Sequence, residues 1–155
     1  MAKEIERKFL VKNDEWRKFV VSSENFLQAY ISHRVNGIVR LRITDTKAFI
    51  TIKGRTKGIE RHEWEYEIPV SDAREMLENR IYQGKYIEKT RYIVNCDGYC
   101  WEVDVFHGRH EGLILAEIEI PEADHNLALP SFIGKEVSHD PRYFNSNLNK
   151  NSSIL

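Results

Sequence analysis

The sequence predicts a mainly β fold: an eight-stranded antiparallel β-barrel that closes on itself and carries a few short helices. Short stretches along the chain alternate between charged and apolar residues, the period-two pattern of strands with two different faces. The turn dipeptides Asn36-Gly37 and Asp97-Gly98 separate such stretches and favour hairpins. Closure removes the exposed edges of a sheet, and 155 residues suit one domain. We therefore predict a single barrel over residues 1–155.

The predicted strands follow the alternation in chain order. Their ranges are 4–9, 26–31, 38–43, 48–53, 61–68, 87–94, 99–106 and 113–120. The most regular of these is the fifth, in which Trp64 and Tyr66 share one face with His62 and Ile68. Because such a face is costly to expose to water, we expect it to be packed.

A first helix is predicted after the first strand. Asn13 or Asp14 can cap its N-terminus, and Trp16, Phe19 and Val20 form a helical apolar stripe. We expect this helix to cover one end of the sheet.

The remaining helices are short. Ser71 is the predicted N-cap of a second helix, with Glu75 close to capping-box spacing. A third helix is expected over 122–127. The segment 134–143 is less regular, and residues 145–155 are polar enough to be a frayed helix or a disordered tail.

Composition excludes several classes of function. Lys+Arg number 23 and Asp+Glu 24, so no long-range field would attract nucleic acid or an anionic membrane. Cys96 and Cys100 lack a second pair that would complete a zinc site and are expected to be free thiols. No segment has the length and apolarity of a signal peptide or a membrane span, so we expect a cytoplasmic protein. The oligomeric state stays open, a homodimer included.

The charged faces of the strands carry like charges in pairs two residues apart. These are the acidic pairs Glu4/Glu6 and Glu117/Glu119 and the basic pairs Arg40/Arg42 and Lys89/Arg91. Neighbouring carboxylates suit Mg²⁺ or Mn²⁺, and arginine forks bind phosphate oxygens. If these faces point inward, the barrel encloses a polyphosphate site with its metal. If they point to bulk water, their ion pairs contribute only about 0–1 kcal/mol each.

The histidines give no ligand spacing that points to a further metal site. His107 and His110 share one loop and are interpreted as surface residues. The glycine-bounded basic loop with Arg55 and Lys57 is interpreted as solvated.

The stretch Glu4-Ile5-Glu6-Arg7-Lys8-Phe9 resembles the E-x-E-x-K signature of the CYTH superfamily, also called triphosphate tunnel metalloenzymes. Similar segments extend over nearly the whole chain: Gln28-Ala29-Tyr30, Val39-Arg40-Leu41-Arg42, Thr51-Ile52-Lys53, Arg61-His62-Glu63-Trp64-Glu65, Glu88-Lys89-Thr90-Arg91-Tyr92, Trp101-Glu102-Val103-Asp104-Val105-Phe106, Leu115-Ala116-Glu117-Ile118-Glu119, Gly134-Lys135-Glu136-Val137 and Asp140-Pro141-Arg142-Tyr143. Ala29 and Phe132 depart from the glycine and tryptophan usual there, away from the charged residues.

The resemblance implies a tunnel that binds a small-molecule triphosphate with a divalent metal, Mg²⁺ or Mn²⁺. The implied metal ligands are Glu4, Glu6, Glu117 and Glu119, and the implied phosphate-binding residues are Lys8, Arg40, Arg42, Lys53, Lys89 and Arg91. Accessory roles are expected for Arg61, Glu63, Glu65, Asp104 and Lys135. We further hypothesise that Lys8 and Tyr30 form a catalytic pair that assists proton transfer.

The chain has the length of short prokaryotic members that resemble inorganic triphosphatases, so the expected reaction is hydrolysis of triphosphate to pyrophosphate and phosphate. One alternative is an adenylate cyclase of the same superfamily, and thiamine triphosphate is a further candidate substrate. Another alternative is a non-catalytic barrel that binds polyphosphate or RNA. An RNA-binding surface interleaves aromatic and basic residues, whereas here they fall on opposite faces, which argues against RNA.

Overall fold

The computed structural model describes residues 3–148, and its eight-stranded antiparallel ring confirms the predicted fold class. The nine strands, including one outside the ring, are β1 Lys3–Val11, β2 Val20–Arg34, β3 Gly37–Ile43, β4 Ala48–Gly54, β5 Glu60–Ile68, β6 Gln83–Cys96, β7 Tyr99–Phe106, β8 Ile114–Glu119 and β9 Ile133–Glu136. The α-helices are α1 Val70–Glu78 and α2 Asn145–Leu148, and 3-10 helices span Asp14–Phe19, Gly108–His110 and Pro141–Tyr143.

The ring closes through β1. Its strand order is β5-β4-β3-β2-β6-β7-β8-β1, and β1 pairs back onto β5 through Glu4↔Arg61. From Glu6 onward β1 pairs with β8, and farther along it also pairs with the short strand β9. Residues 134–137 were expected to be less regular, yet most of them belong to β9. This strand pairs with β1 near Phe9 and Val11, beyond the residues of β1 that pair with β5.

Most of the apolar core lies outside the barrel wall. The outer faces of β1, β7 and β8 pack against Trp16 and Phe132, while α1 covers the outer faces of β3 and β4. The first helix was expected to cover one end of the sheet, which is wrong: Trp16 packs on the outer wall, with its ring 5.1 Å from that of Tyr92. Asn13 caps this 3-10 helix as predicted, accepting a hydrogen bond from the Glu15 amide.

The C-terminal segment closes one end of the barrel. Leu148 and Val137 are buried in an apolar cluster with Ile38, Ile87 and Phe106. Residues 145–148, expected to be frayed or disordered, form α2 and fill this end. Residues 149–155, included in the same expectation, lie outside the described residues.

The predicted second helix is present as α1, but its predicted cap is wrong, and the predicted third helix is also wrong. Helix α1 begins at Val70 after Pro69, and no side chain caps it, so Ser71 lies inside the helix instead of before it. Residues 122–127 form turns and irregular backbone in place of a third helix. Their apolar residue Leu127 instead packs against the outer core, a contact that needs no helix.

Two burial predictions are also wrong. Trp64 is 38% exposed and Tyr66 58%, whereas Ile68 on the same face packs against the cluster that includes Ala73 of α1. His110 is buried, with Nε2 at 2.8 Å from the Leu148 carbonyl oxygen, whereas His107 is exposed as expected. No helix within residues 3–148 is long and apolar enough to cross a bilayer.

Candidate active site

The inward faces of the strands enclose a cavity of about 540 Å³. Its lining is strongly charged and comprises Lys3, Glu4, Glu6, Lys8, Tyr30, Ile38, Arg40, Arg42, Lys53, Arg61, Glu63, Glu65, Lys89, Arg91, Glu102, Glu117, Glu119, Phe144, Asn145 and Ser146. Alternation along each strand explains this lining, because every second residue of a closed sheet points inward. We refer to this cavity as the lumen.

Three carboxylates converge on one side of the lumen. Strand pairing sets Glu102 opposite Glu117, and Glu6 approaches from β1, so that one oxygen from each lies within 4.8 Å of the others. Such oxygen donors suit a hard divalent cation. Glu102 was not among the predicted site residues, although the alternation of β7 places it on the same face as Asp104.

The protonation behaviour of these carboxylates reflects crowding. Burial raises the pKa of Glu6 well above its usual range, and the negative charges of Glu117 and Glu4 raise it further. Burial also raises the pKa of Glu102, although Arg91 opposes the shift. Burial acts in the same direction on Glu117, but the charges of Lys8 and Arg91 outweigh it and hold its pKa below the usual range. A cation among these oxygens would relieve the repulsion at Glu6, so the donor set fits a divalent metal.

Glu4 lies in a different group of charges. The Lys53 ammonium is 3.2 Å from Glu4 Oε2 and 3.4 Å from Glu63 Oε2. Burial and a hydrogen bond with Glu4 raise the pKa of Glu63 to about 7. Burial opposes a low pKa at Glu4, but the hydrogen bond with Glu63 and the charge of Lys53 lower it. The hydrogen bond between Glu4 and Glu63 favours the ionised form of Glu4 and the protonated form of Glu63, so it shifts the two pKa values in opposite directions.

The structure brings together two of the four predicted metal ligands, Glu6 and Glu117. Glu119 is an exposed residue of the lumen lining, and Glu4 faces Lys53. Metal roles for Glu4 and Glu119 remain predictions.

All six predicted phosphate-binding residues line the lumen: Lys8, Arg40, Arg42, Lys53, Lys89 and Arg91. Lys8 Nζ lies 3.3 Å from Glu117 Oε1 and donates a hydrogen bond to the Tyr143 carbonyl oxygen at 3.1 Å. Arg40 donates to Thr51 Oγ1 at 3.2 Å, and its buried Nε has no partner within residues 3–148. Ammonium and guanidinium donors are thus held around a common space, which suits a multiply charged anion.

Asp104 holds two of these cations from behind the lining. Its carboxylate accepts from Lys89 Nζ at 2.7 Å and from Arg91 Nε and a terminal nitrogen at 2.8 and 2.9 Å. Burial alone would raise the pKa of Asp104, but Arg91 and Lys89 lower it. Burial lowers the pKa of Lys89, an effect that the charge of Asp104 opposes. Asp104 therefore positions Arg91 and Lys89.

The other predicted site residues do not all line the lumen. Arg61, Glu63 and Glu65 line the lumen, whereas Lys135 is exposed on β9 and does not line it. Tyr30 is buried in the lining, but among the described residues no hydrogen bond joins it to Lys8. The proposed proton-transfer pair remains a prediction.

The C-terminal segment also reaches the lumen, which no sequence signal had indicated. Asn145 Oδ1 accepts a hydrogen bond from Lys89 Nζ at 2.9 Å, and Phe144 and Ser146 line the cavity.

Comparison with known proteins agrees with this arrangement. The family model described as the CYTH domain matches residues 2–149. The chain belongs to the CYTH domain family. It is 46% identical over 151 residues to an inorganic triphosphatase of Acetivibrio thermocellus, covering 97% of this chain and 96% of the relative. An inorganic triphosphatase of Nitrosomonas europaea is 37% identical over 149 residues, covering 94% and 95% of the two chains.

A solved structure shows the same CYTH fold. The crystal structure of an inorganic triphosphatase superposes with a TM-score of 0.72 at 31% identity, covering 99% of this chain and 98% of the other. The CYTH resemblance noted from the sequence is confirmed.

Proposed function

We propose that this CYTH protein hydrolyses inorganic triphosphate to pyrophosphate and phosphate with a divalent cation, Mg²⁺ or Mn²⁺. The observation that carries the proposal is the convergence of Glu6, Glu102 and Glu117 in the same lumen as a ring of lysines and arginines. Two relatives that align over nearly their whole length are named inorganic triphosphatases, which supports the same substrate.

Hydrolysis adds one water across a terminal P–O–P bridge. The water oxygen joins the terminal phosphorus, and the bridging oxygen leaves with pyrophosphate. Glu6, Glu102 and Glu117 would hold the divalent cation, which when bound orients and acidifies the water and stabilises charge on phosphate oxygens. Arg40, Arg42 and the other lumen cations would bind the equatorial and leaving oxygens, where charge increases in the transition state.

A substrate panel tests the reaction. Inorganic triphosphate, ATP and thiamine triphosphate are each incubated with Mg²⁺, Mn²⁺ or a chelator, and phosphate, pyrophosphate and cyclic AMP are resolved. We expect phosphate and pyrophosphate from inorganic triphosphate and none with chelator. Cyclic AMP from ATP would instead support the cyclase alternative, and binding without turnover would support a non-catalytic barrel.

Variants test the roles of individual residues. We expect Glu6→Gln and Glu117→Gln to abolish metal-dependent hydrolysis, because each removes a carboxylate from the cluster. The control Glu15→Gln lies in an exposed ion pair with Lys18 and should retain full activity. Full activity in both lumen variants would contradict the metal assignment.

The proton-transfer pair has its own test. Lys8→Ala should alter the pH dependence of turnover, and a profile that matches wild type would exclude Lys8 from that role.

A further inference from the structure

Phe26 lies between two arginines, one on each strand that neighbours its own. It belongs to β2, which is flanked by β3 with Arg42 and β6 with Arg91. The Cζ atom of Arg42 is 4.3 Å from the centroid of the Phe26 ring, and that of Arg91 is 5.1 Å away. Since the face of a phenyl ring is negative, a buried ring at these distances attracts both guanidiniums.

This contact offsets an unfavourable arrangement of charge. Arg40, Arg42 and Arg91 line the same lumen, and like charges in a confined space repel one another. Burial, together with the charges of Arg40 and Arg91, lowers the pKa of Arg42 to about 9. The ring supplies attraction to Arg42 and Arg91 without adding a carboxylate that would compete for the guanidinium hydrogens.

Among the described residues, the terminal nitrogens of Arg42 are left for a ligand, whereas Arg91 is held by carboxylates. Arg42 uses Nε to donate to Gln28 Oε1 at 2.7 Å, and within residues 3–148 no hydrogen bond engages its terminal nitrogens. Arg91 is fixed on Asp104 through Nε and one terminal nitrogen, and its other terminal nitrogen donates to Glu102 Oε2 at 3.1 Å. Phe26 thus contacts two guanidiniums that are also held by hydrogen bonds, Arg42 by Gln28 and Arg91 by Asp104 and Glu102.

We propose that Phe26 is a positioning residue for phosphate binding, whose ring holds Arg42 and Arg91 in the orientation that receives the triphosphate. The role rests on the proposed function, since it requires a polyphosphate in the lumen. A simpler role, filling apolar space, predicts that any side chain of similar size would serve.

Phe49 provides a matched control. Phe26 and Phe49 both line a second chamber of about 450 Å³, which shares Arg42 and Arg91 with the lumen. In the described part of the chain no cation lies over the Phe49 ring. Phe49 lies directly opposite Arg42 in the β3–β4 pairing, so replacing it removes a neighbouring ring from the same chamber without removing a cation–π contact of either arginine.

The experiment compares Phe26→Leu, Phe26→Met, Phe26→Tyr and Phe49→Leu with wild type. Calorimetric titration with inorganic triphosphate measures binding without metal, steady-state kinetics with Mg²⁺ separates KM from kcat, and circular dichroism verifies folding. Cation–π contacts at buried sites predict that Phe26→Leu and Phe26→Met bind about tenfold more weakly, mainly through KM. Phe26→Tyr should bind like wild type because it keeps the ring, and Phe49→Leu should change affinity by less than about twofold.

A double-mutant cycle separates positioning from packing. If Phe26 acts through the arginines, then Phe26→Leu costs less affinity in an Arg42→Gln background than in wild type. An equal cost in both backgrounds, or wild-type affinity in the ring-less variants, would overturn the role while the wild-type enzyme still hydrolyses triphosphate. Failure of both ring-less variants to fold would assign Phe26 to structure alone. A wild-type protein that neither binds nor hydrolyses triphosphate would refute the proposed function first, and the positioning role with it.

Discussion

Replacing Asp104 by Asn should destabilise the barrel strongly, because this carboxylate is the shared partner of two buried cations. Asp104 is 0% exposed, and the side chains of Lys89 and Arg91 are 1% and 11% exposed. Both carboxylate oxygens accept hydrogen bonds from these cations. An asparagine keeps one acceptor oxygen, and its amide nitrogen would face donors.

The expected loss is about 3–5 kcal/mol in the free energy of unfolding, the usual cost of removing one partner of a buried ion pair. Urea titration followed by circular dichroism measures it, provided that the transition is two-state and the m-value is unchanged. Inorganic triphosphate should stabilise Asp104→Asn more than wild type, because its negative charge compensates Lys89 and Arg91.

Asp140→Asn is the control for this prediction. Asp140 also accepts three hydrogen bonds from an arginine guanidinium, but that arginine, Arg142, is 67% exposed. Its loss should cost far less stability, since water screens the pair. If Asp104→Asn were as stable as Asp140→Asn, the lumen would be hydrated enough to solvate its cations without Asp104, and the argument from burial would fail.

Three further predictions concern pH, metal binding and the closed end of the barrel. Because folding lowers the pKa of Asp104 from 3.8, its ionised form contributes stability above about pH 3.8. The difference in free energy of unfolding between wild type and Asp104→Asn should therefore shrink as the pH falls below that value, which urea unfolding at a series of acidic pH values measures. A constant difference would contradict the shift. Glu102→Gln should raise the Mg²⁺ concentration for half-maximal hydrolysis by roughly tenfold, or ~1.4 kcal/mol, whereas Glu15→Gln should leave it unchanged. If Glu102→Gln needs no more Mg²⁺ than wild type, Glu102 is not a metal ligand. Leu148→Ala should cost about 2–5 kcal/mol of stability because the Leu148 side chain is buried. Leu129 is exposed, so Leu129→Ala should cost under about 0.5 kcal/mol. Equal losses in urea unfolding would mean that α2 does not seal the barrel.

The division of residues between the two faces of the sheet was predictable from sequence. Side chains alternate with a period of two, so Arg40 and Arg42 had to lie on one face of β3. For the same reason Lys89 and Arg91 had to lie on one face of β6. The turn at Asp97-Gly98 was equally readable, because both residues have positive φ there, a conformation that this dipeptide favours. Neither inference requires knowledge of contacts between distant strands.

Which carboxylates converge was not predictable in the same way. Glu4 and Glu6 are two residues apart on one face, yet Glu4 pairs across to Arg61 on β5 and Glu6 to Glu119 on β8. This change of neighbour carries Glu4 toward Lys53. It leaves Glu6 to meet Glu117 and Glu102, and that meeting depends on the register between β7 and β8.

By itself, the sequence determined a β-barrel whose strands separate charged from apolar residues, because strand periodicity is a local property that each segment carries on its own. Only the tertiary structure decided that Glu102 joins the carboxylate cluster, that Trp64 and Tyr66 stay exposed, and that residues 141–148 fill one end. These outcomes depend on strand order, register and the path of irregular segments, which arise from contacts between residues far apart in the chain and leave no periodic signal within it.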